Sequence, residues 1–213
     1  MPRTRAPKTN DLICRPFEPS DFDAVCDLIA KVWHTEGSSE ETFLSSRSDA
    51  SYYLSVSQYL CVAEKNHKIV GLIFAGNGEN NPTTKPWRLI KVSAQHLAEA
   101  LEGSRYYELN YQYIKTESKL IKAFRCSNDP RAAWEITLFC IDPQEQGHGI
   151  GGLLFSKVID FFISQNARGF FLATDDGCDF SFYDYKGLER VSSAEVFPAE
   201  DYSETAYLYA LDL

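Results

Sequence analysis

The chain has 213 residues, with 21 Lys and Arg against 30 Asp and Glu, so its formal charge is −9. The 14 Phe, 12 Tyr and 3 Trp need an interior, which excludes disorder as the main state, and the length suits a single domain with a sizeable core. No apolar run approaches the ~20 residues of a spanning helix, and no Lys/Arg-dense stripe exists to displace counterions, so neither membrane nor nucleic acid is an expected partner.

Residues 1–10 are basic with no apolar segment behind them and read as a short flexible tail. Residues 12–17 form a short strand. Ser20 is expected to cap a helix whose apolar positions, Phe22, Val25, Cys26, Ile29, Val32 and Trp33, recur in steps of three and four. Ser38-x-x-Glu41 is a capping box that opens a second helix toward Tyr52 and Tyr53. Two apolar runs, 59–64 and 69–75, flank Lys65-Asn66-His67-Lys68 as a β-hairpin, with Gly71 marking a bulge or a close backbone approach. Residues 76–86 read as a loop. From Ser93 to about Phe124 the residues favour helix, with Leu97, Ala100 and Leu101 in one piece and Ile114, Leu120, Ile121 and Phe124 in another.

Residues 134–141 are a strand, nearly continuously apolar from Ile136 and so buried on both faces. A turn over 142–146 leads to Gly147-His148-Gly149-Ile150-Gly151-Gly152 and then to a helix carrying Leu153, Leu154, Val158, Phe161 and Phe162 to about Gln165. A strand over 170–174, a short helix over 180–185 ending at Gly187, and strands over 190–197 and 205–211 complete the chain. The order β-α-α-β-β-insert-β-α-β-α-β-β is a mixed α/β sheet. The six cysteines show no short paired spacing. Cys14, Cys26, Cys61 and Cys140 lie in apolar stretches, which suggests buried thiols in a reducing cytoplasm. The four histidines are dispersed, so no metal is expected.

Strand, turn, glycines and helix in that order build an anion site, because a helix start offers unpaired N–H groups and the positive end of its dipole. The nucleotide P-loop fails, since Leu153 and Leu154 stand where Lys and Ser/Thr are needed. The dinucleotide fingerprint matches literally at Gly147, Gly149 and Gly152, yet a five-residue turn separates strand from glycines and too little chain follows for a doubly wound sheet.

Gln146-x-x-Gly149-x-Gly151, with Pro143 three residues before the glutamine, resembles motif A of the GNAT superfamily of acyl-CoA-dependent N-acetyltransferases. Glu135, residues 137–141 and Asp142-Pro143 extend the likeness upstream. Phe182-Tyr183-Asp184-Tyr185-Lys186-Gly187-Leu188 resembles the family's Phe-Tyr-x-x-x-Gly-Phe segment, and Arg15-Pro16-Phe17 with Asp21 its opening strand and helix. Only about 77–133 falls outside the likeness. Gln146 replaces the more usual arginine, Leu188 a phenylalanine, and Asp175-Asp176 a common asparagine; one branch's catalytic glutamate corresponds to Phe171.

The resemblance implies one GNAT-like domain over 1–213, with a central sheet of about seven strands and a helical insertion, about 77–133, between the third and fourth. It implies acetyl-CoA as co-substrate, no metal, and direct attack by a primary amine of a small molecule or peptide. The backbone of Phe139, Cys140 and Ile141 would pair with the pantetheine arm, with an N–H there, that of Cys140, polarising the thioester carbonyl. The stretch Gln146, Gly147, His148, Gly149, Ile150, Gly151 and Gly152 would hold the pyrophosphate through its amides. Tyr183 would be the general acid and Glu135 the base through a water, with Asp175 or Asp176 as alternatives. The insertion's Tyr106, Tyr107, Tyr111, Tyr113 and Trp87 would line the acceptor pocket or a dimer surface. A cytoplasmic monomer or homodimer is expected. The rival is a non-catalytic acyl-CoA-binding module on the same fold.

Overall fold

Seven strands are hydrogen-bonded in the order β1-β2-β3-β4-β5-β7-β6, in a computed structural model that describes residues 12–78, 101, 103–199 and 202–213. The tail at 1–10 and the part of the insertion holding Trp87, Leu97 and Ala100 lie outside the described residues. The strands are β1 (Leu12–Pro16), β2 (Tyr59–Lys65), β3 (Lys68–Gly76), β4 (Glu135–Ile141), β5 (Gly169–Asp175), β6 (Glu189–Ala199) and β7 (Tyr202–Asp212). The helices are α1 (Phe22–Trp33), α2 (Ser39–Val56), α3 (Arg105–Arg125), α4 (Ile150–Ser164) and α5 (Ser181–Tyr185). All neighbouring strands run antiparallel except β4 and β5. The mixed sheet, its seven strands and the helix inserted between β3 and β4 are as the sequence implies.

Period-2 alternation separates the sheet into two faces. On one, α4 buries Ile150, Leu154, Phe155, Val158 and Phe162 against Ile73, Ile136, Phe170 and Leu172. On the other, α1 and α2 bury Val25, Ile29, Ala50 and Leu54 against Val62, Leu72, Phe74, Leu138 and Cys140. The same face continues over β5 and β7, where Phe124 of α3 packs on Phe171, Leu208 and Ala210. Helices α2 and α3 therefore share a face and flank the seam between β4 and β5.

The local signals resolve in detail. Ser38 caps α2 with the reciprocal Glu41 bond, a complete capping box. Val70 is the extra residue of a bulge, and a Cβ on Gly71 would stand 2.7 Å from Ile141 Cδ1, so both readings of that glycine hold. Ser20 does not cap α1. Pro19–Asp21 forms a 3-10 turn instead, in which the Asp21 carboxylate accepts the Glu18 N–H at 2.8 Å and the Arg15 guanidinium at 2.7 and 2.9 Å. Proline at the first position of the turn and a carboxylate that binds Arg15 outcompete a serine hydroxyl. Among the four cysteines expected to be buried, Cys26, Cys61 and Cys140 are, while Cys14 on the edge strand is half-buried; all six thiols are free.

Candidate active site

The β4–β5 ladder contains only Glu135↔Phe171 and Ile136↔Leu172. On their outer sides both strands stay paired to their ends, β4 as far as Gly71↔Ile141 and β5 as far as Asp175↔Ala206. Two strands held from outside but not by each other diverge into a V. Within it, alternate residues of 138–141 turn backbone N–H and C=O groups away from β3 toward open space, an edge that an extended chain can pair with. Thr137 is the extra residue of a bulge at the foot of the V, its hydroxyl 2.6 Å from that of Ser57 at the end of α2.

The glycine-rich turn sits at the mouth. Gly147 and Gly149 have φ of +76° and +81°, the left-handed region that a Cβ disfavours. Neither is crowded, so torsion, and not space, calls for glycine there. The first α4 bond runs from Leu153 N–H to Gly149 C=O at 3.1 Å, which leaves the amides of Ile150, Gly151 and Gly152 without a helical partner. Ile150 turns its side chain into the core. His148 is exposed and its ring Nδ1 lies 3.2 Å from the Glu145 carbonyl. A Cβ on Gly151 would lie 3.6 Å from Phe139, 3.9 Å from Ile141 and 3.9 Å from Phe182. Helix start, strand arm and the α5 segment thus converge on one residue. These open amides and the facing V fit a diphosphate with a long, flexible arm.

Tyr183, on α5, is buried in the core cluster beside Ile150, Leu154 and Phe155. Burial, and then the nearby Cys178, Asp175 and Cys140, push its hydroxyl well above the ordinary tyrosine range, so it remains a proton donor at every working pH. Burial also pushes the Cys140 thiol far up, which makes it inert as a nucleophile.

The opposite face of the seam carries a cluster of carboxylates from α2, α3 and the ends of β4 and β5. Glu135 at the start of β4 is held by Arg125 of α3 at 2.6 Å, and burial keeps its pKa raised in spite of that partner. Asp175 ends β5 buried and accepts the Tyr113 hydroxyl at 3.1 Å. Glu117, one turn along α3 from Tyr113, has a carboxylate oxygen 3.5 Å from the same hydroxyl. Burial, then the charges of Glu135, Asp175 and Asp49, push Glu117 up to about 8. His34 links the three helices, with Nε2 2.9 Å from Asp49 of α2 and Nδ1 on the Tyr106 hydroxyl of α3. Asp176, by contrast, is exposed, and its carboxylate accepts the Thr205 N–H.

The V and its mouth therefore collect Phe139, Cys140, Ile141 and the residues of the 146–152 stretch, with Tyr183 buried beside the start of α4. Glu135 lies at the closed end of the seam. Sequence reasoning missed Glu117. The signal was present: Tyr113, Glu117, Leu120 and Phe124 recur at helical spacing, so one carboxylate stands in an otherwise inward-facing stripe. Among the described residues no group of three or more His, Cys, Asp or Glu is placed to hold a metal ion, and no helix is long and apolar enough to cross a membrane.

No curated protein matches the chain in sequence. Solved structures match its fold. An acetyltransferase of the GNAT family from Desulfovibrio desulfuricans superposes with TM-score 0.55 at 12% identity, covering 94% of this chain and 98% of that one. A Brucella melitensis GNAT acetyltransferase in complex with acetyl-CoA gives 0.50 at 14%, covering 96% and 90%. The Drosophila melanogaster polyamine N-acetyltransferase gives 0.55 at 13%, covering 95% and 100%. The model of the acetyltransferase (GNAT) family matches residues 22–181, which contain the splayed strands, the glycine-rich helix start and the beginning of α5. By that match, over well more than half of its length, the chain belongs to the acetyltransferase (GNAT) family.

Proposed function

We propose that this chain is a cytoplasmic, single-domain N-acetyltransferase that passes an acetyl group directly from acetyl-CoA to a primary amine of a small molecule or peptide. The observation that carries this reading is the V between β4 and β5, open at its mouth onto the unpaired amides of α4. The left-handed turn at Gly147 and Gly149 aims those amides at a diphosphate, and the unpaired edge of residues 139–141 receives the pantetheine arm like an added strand.

The thioester then lies in the V. The amine nitrogen attacks the carbonyl carbon, an outward N–H of Phe139 or Ile141 holds the developing oxyanion, since the β3–β4 register turns the Cys140 N–H expected for this role toward Leu72, and the carbon–sulfur bond breaks. Tyr183 gives its proton to the departing thiolate. The donor enters past α4, and the acceptor is assigned to the other side of the seam, at the carboxylate cluster between α2 and α3. Its carboxylates favour an acceptor that arrives as an ammonium ion, consistent with the amine substrate named for the polyamine N-acetyltransferase neighbour. Glu135 and Arg125 close the inner end as an ion pair.

Calorimetry with acetyl-CoA and thiol release with tyramine, agmatine, spermidine and a short peptide test the reading. Saturable acetyl-CoA binding is expected, together with turnover of at least one amine. Tyr183→Phe should lower kcat by about 10²-fold or more with little change in Kd. Absence of acetyl-CoA binding overturns the proposal. Tight binding with no Tyr183-dependent turnover turns it into a regulatory module.

A further inference from the structure

A carboxylate that frees the amine has to hold a proton and lose it again near neutral pH. Glu135 is occupied, its carboxylate bound to Arg125 at 2.6 Å. Asp175 has the Tyr113 hydroxyl at 3.1 Å, the shorter of the two carboxylate contacts that this hydroxyl's single proton can serve. Asp176 is exposed and tied to a backbone amide. Glu117 is different. Its contact with Tyr113 is the longer one, at 3.5 Å, and among the described residues no cation is bonded to it. Protein surrounds it while part of its surface remains accessible. Tyr113 joins it to the end of β5, where the V opens.

Resting on the acetyltransferase reading above, we infer that Glu117 of α3 is the general base, the residue that takes a proton from the acceptor's ammonium group at the carboxylate cluster between α2 and α3. The proton passes from the ammonium nitrogen to a Glu117 oxygen. The freed nitrogen pair forms the bond to the acetyl carbon, the carbon–sulfur bond breaks, and sulfur takes the proton of Tyr183. The excess proton on the new amide nitrogen returns to the Tyr183 oxygen, and Glu117 releases its own proton to water. One acetamide, one thiol and one proton result.

The surroundings of Glu117 set its affinity for that proton. Asp49 and the hydroxyls of Tyr52 and Tyr53 face it from α2, Glu135 with Arg125 from the base of β4, and Asp175 from β5. The negative neighbours and burial raise its pKa, while the Tyr113 hydroxyl lowers it, which leaves it at about 8. A base so placed is half-loaded near physiological pH.

The test measures kcat/KM from pH 6 to 9.5 for the full chain, with acetyl-CoA and whichever of tyramine, agmatine or spermidine turns over. Tyramine and agmatine lose their ammonium proton about a unit or more above Glu117, so with either of them a break near 8 belongs to the enzyme. Glu117→Gln should lose about 10²-fold or more at pH 8 and keep acetyl-CoA affinity within twofold. Its residual rate should climb about tenfold per pH unit through pH 8, levelling only where the amine itself titrates, and Glu117→Asp should restore part of the loss. Tyr113→Phe removes a donor to the ionised carboxylate and should move the break upward. An E117Q rate within threefold of wild type, a break that survives it, or a break unmoved by Y113F overturns the role of Glu117 and leaves the acetyltransferase reading standing. A wild-type chain that neither binds acetyl-CoA nor turns over any of the amines overturns that reading, and the base with it.

Discussion

The two sides of the β4–β5 seam are built by opposite means. On the α4 side every component lies within a few residues of the next along the chain, and backbone does the work: two left-handed glycines, three free amides and one unpaired strand edge. On the α2–α3 side the components are side chains gathered from distant segments, Asp49, Tyr113, Glu117, Glu135 and Asp175, and their effect comes from mutual repulsion and burial. The first arrangement is cheap in stability, because helix amides are unpaired wherever a helix begins. The second opposes folding, since carboxylates brought together out of water resist ionisation.

Breaking the acidic side at the Arg125–Glu135 ion pair should have the largest effect. Arg125→Met strands the Glu135 carboxylate among other acids while keeping the apolar contact with Phe171, and should cost about 2 kcal/mol. Glu135 already has a raised pKa in the fold, so stability associated with its protonated form is present at low pH and lost as pH rises. Urea denaturation at pH 5 and pH 8 should find the greater loss at pH 8. A second change disturbs the backbone side. Gly149→Ala meets no neighbour but must adopt φ +81°, at about 1 kcal/mol, with the amides it leads displaced. Calorimetry should show acetyl-CoA affinity falling about tenfold, with the pH profile of the acidic side unchanged. The smallest effect has the opposite sign. Glu117 has its folded pKa raised from 4.5 to about 8, so its contribution is fully present below 4.5 and is lost progressively as pH rises to about 8. Glu117→Gln should therefore raise Tm by a few degrees at pH 8.5 and leave it nearly unchanged at pH 4.5.

Legibility followed the same division. Ser38-x-x-Glu41, the hairpin at Asn66-His67 and the glycines from 147 to 152 are short-range patterns whose geometry depends on torsion and capping, and each appears where the sequence puts it. Ser20 misled because its rival depended on Arg15, a contact that local pattern does not weigh. Glu135 was legible as the head of a strand; its capture by Arg125 was not, since that bond requires α3 to cross the sheet. Glu117 looked like one more acid on an amphipathic helix.

By itself, the sequence determined the order of the elements, the apolar faces and the phosphate-type helix start, because periodicity and glycine torsions act between near neighbours. Only the tertiary structure decided that Arg125 takes Glu135 and not Glu117, and how strongly Glu117 holds a proton. That depends on which charges lie within a few ångströms after folding, and on how much water the packed helices leave between them.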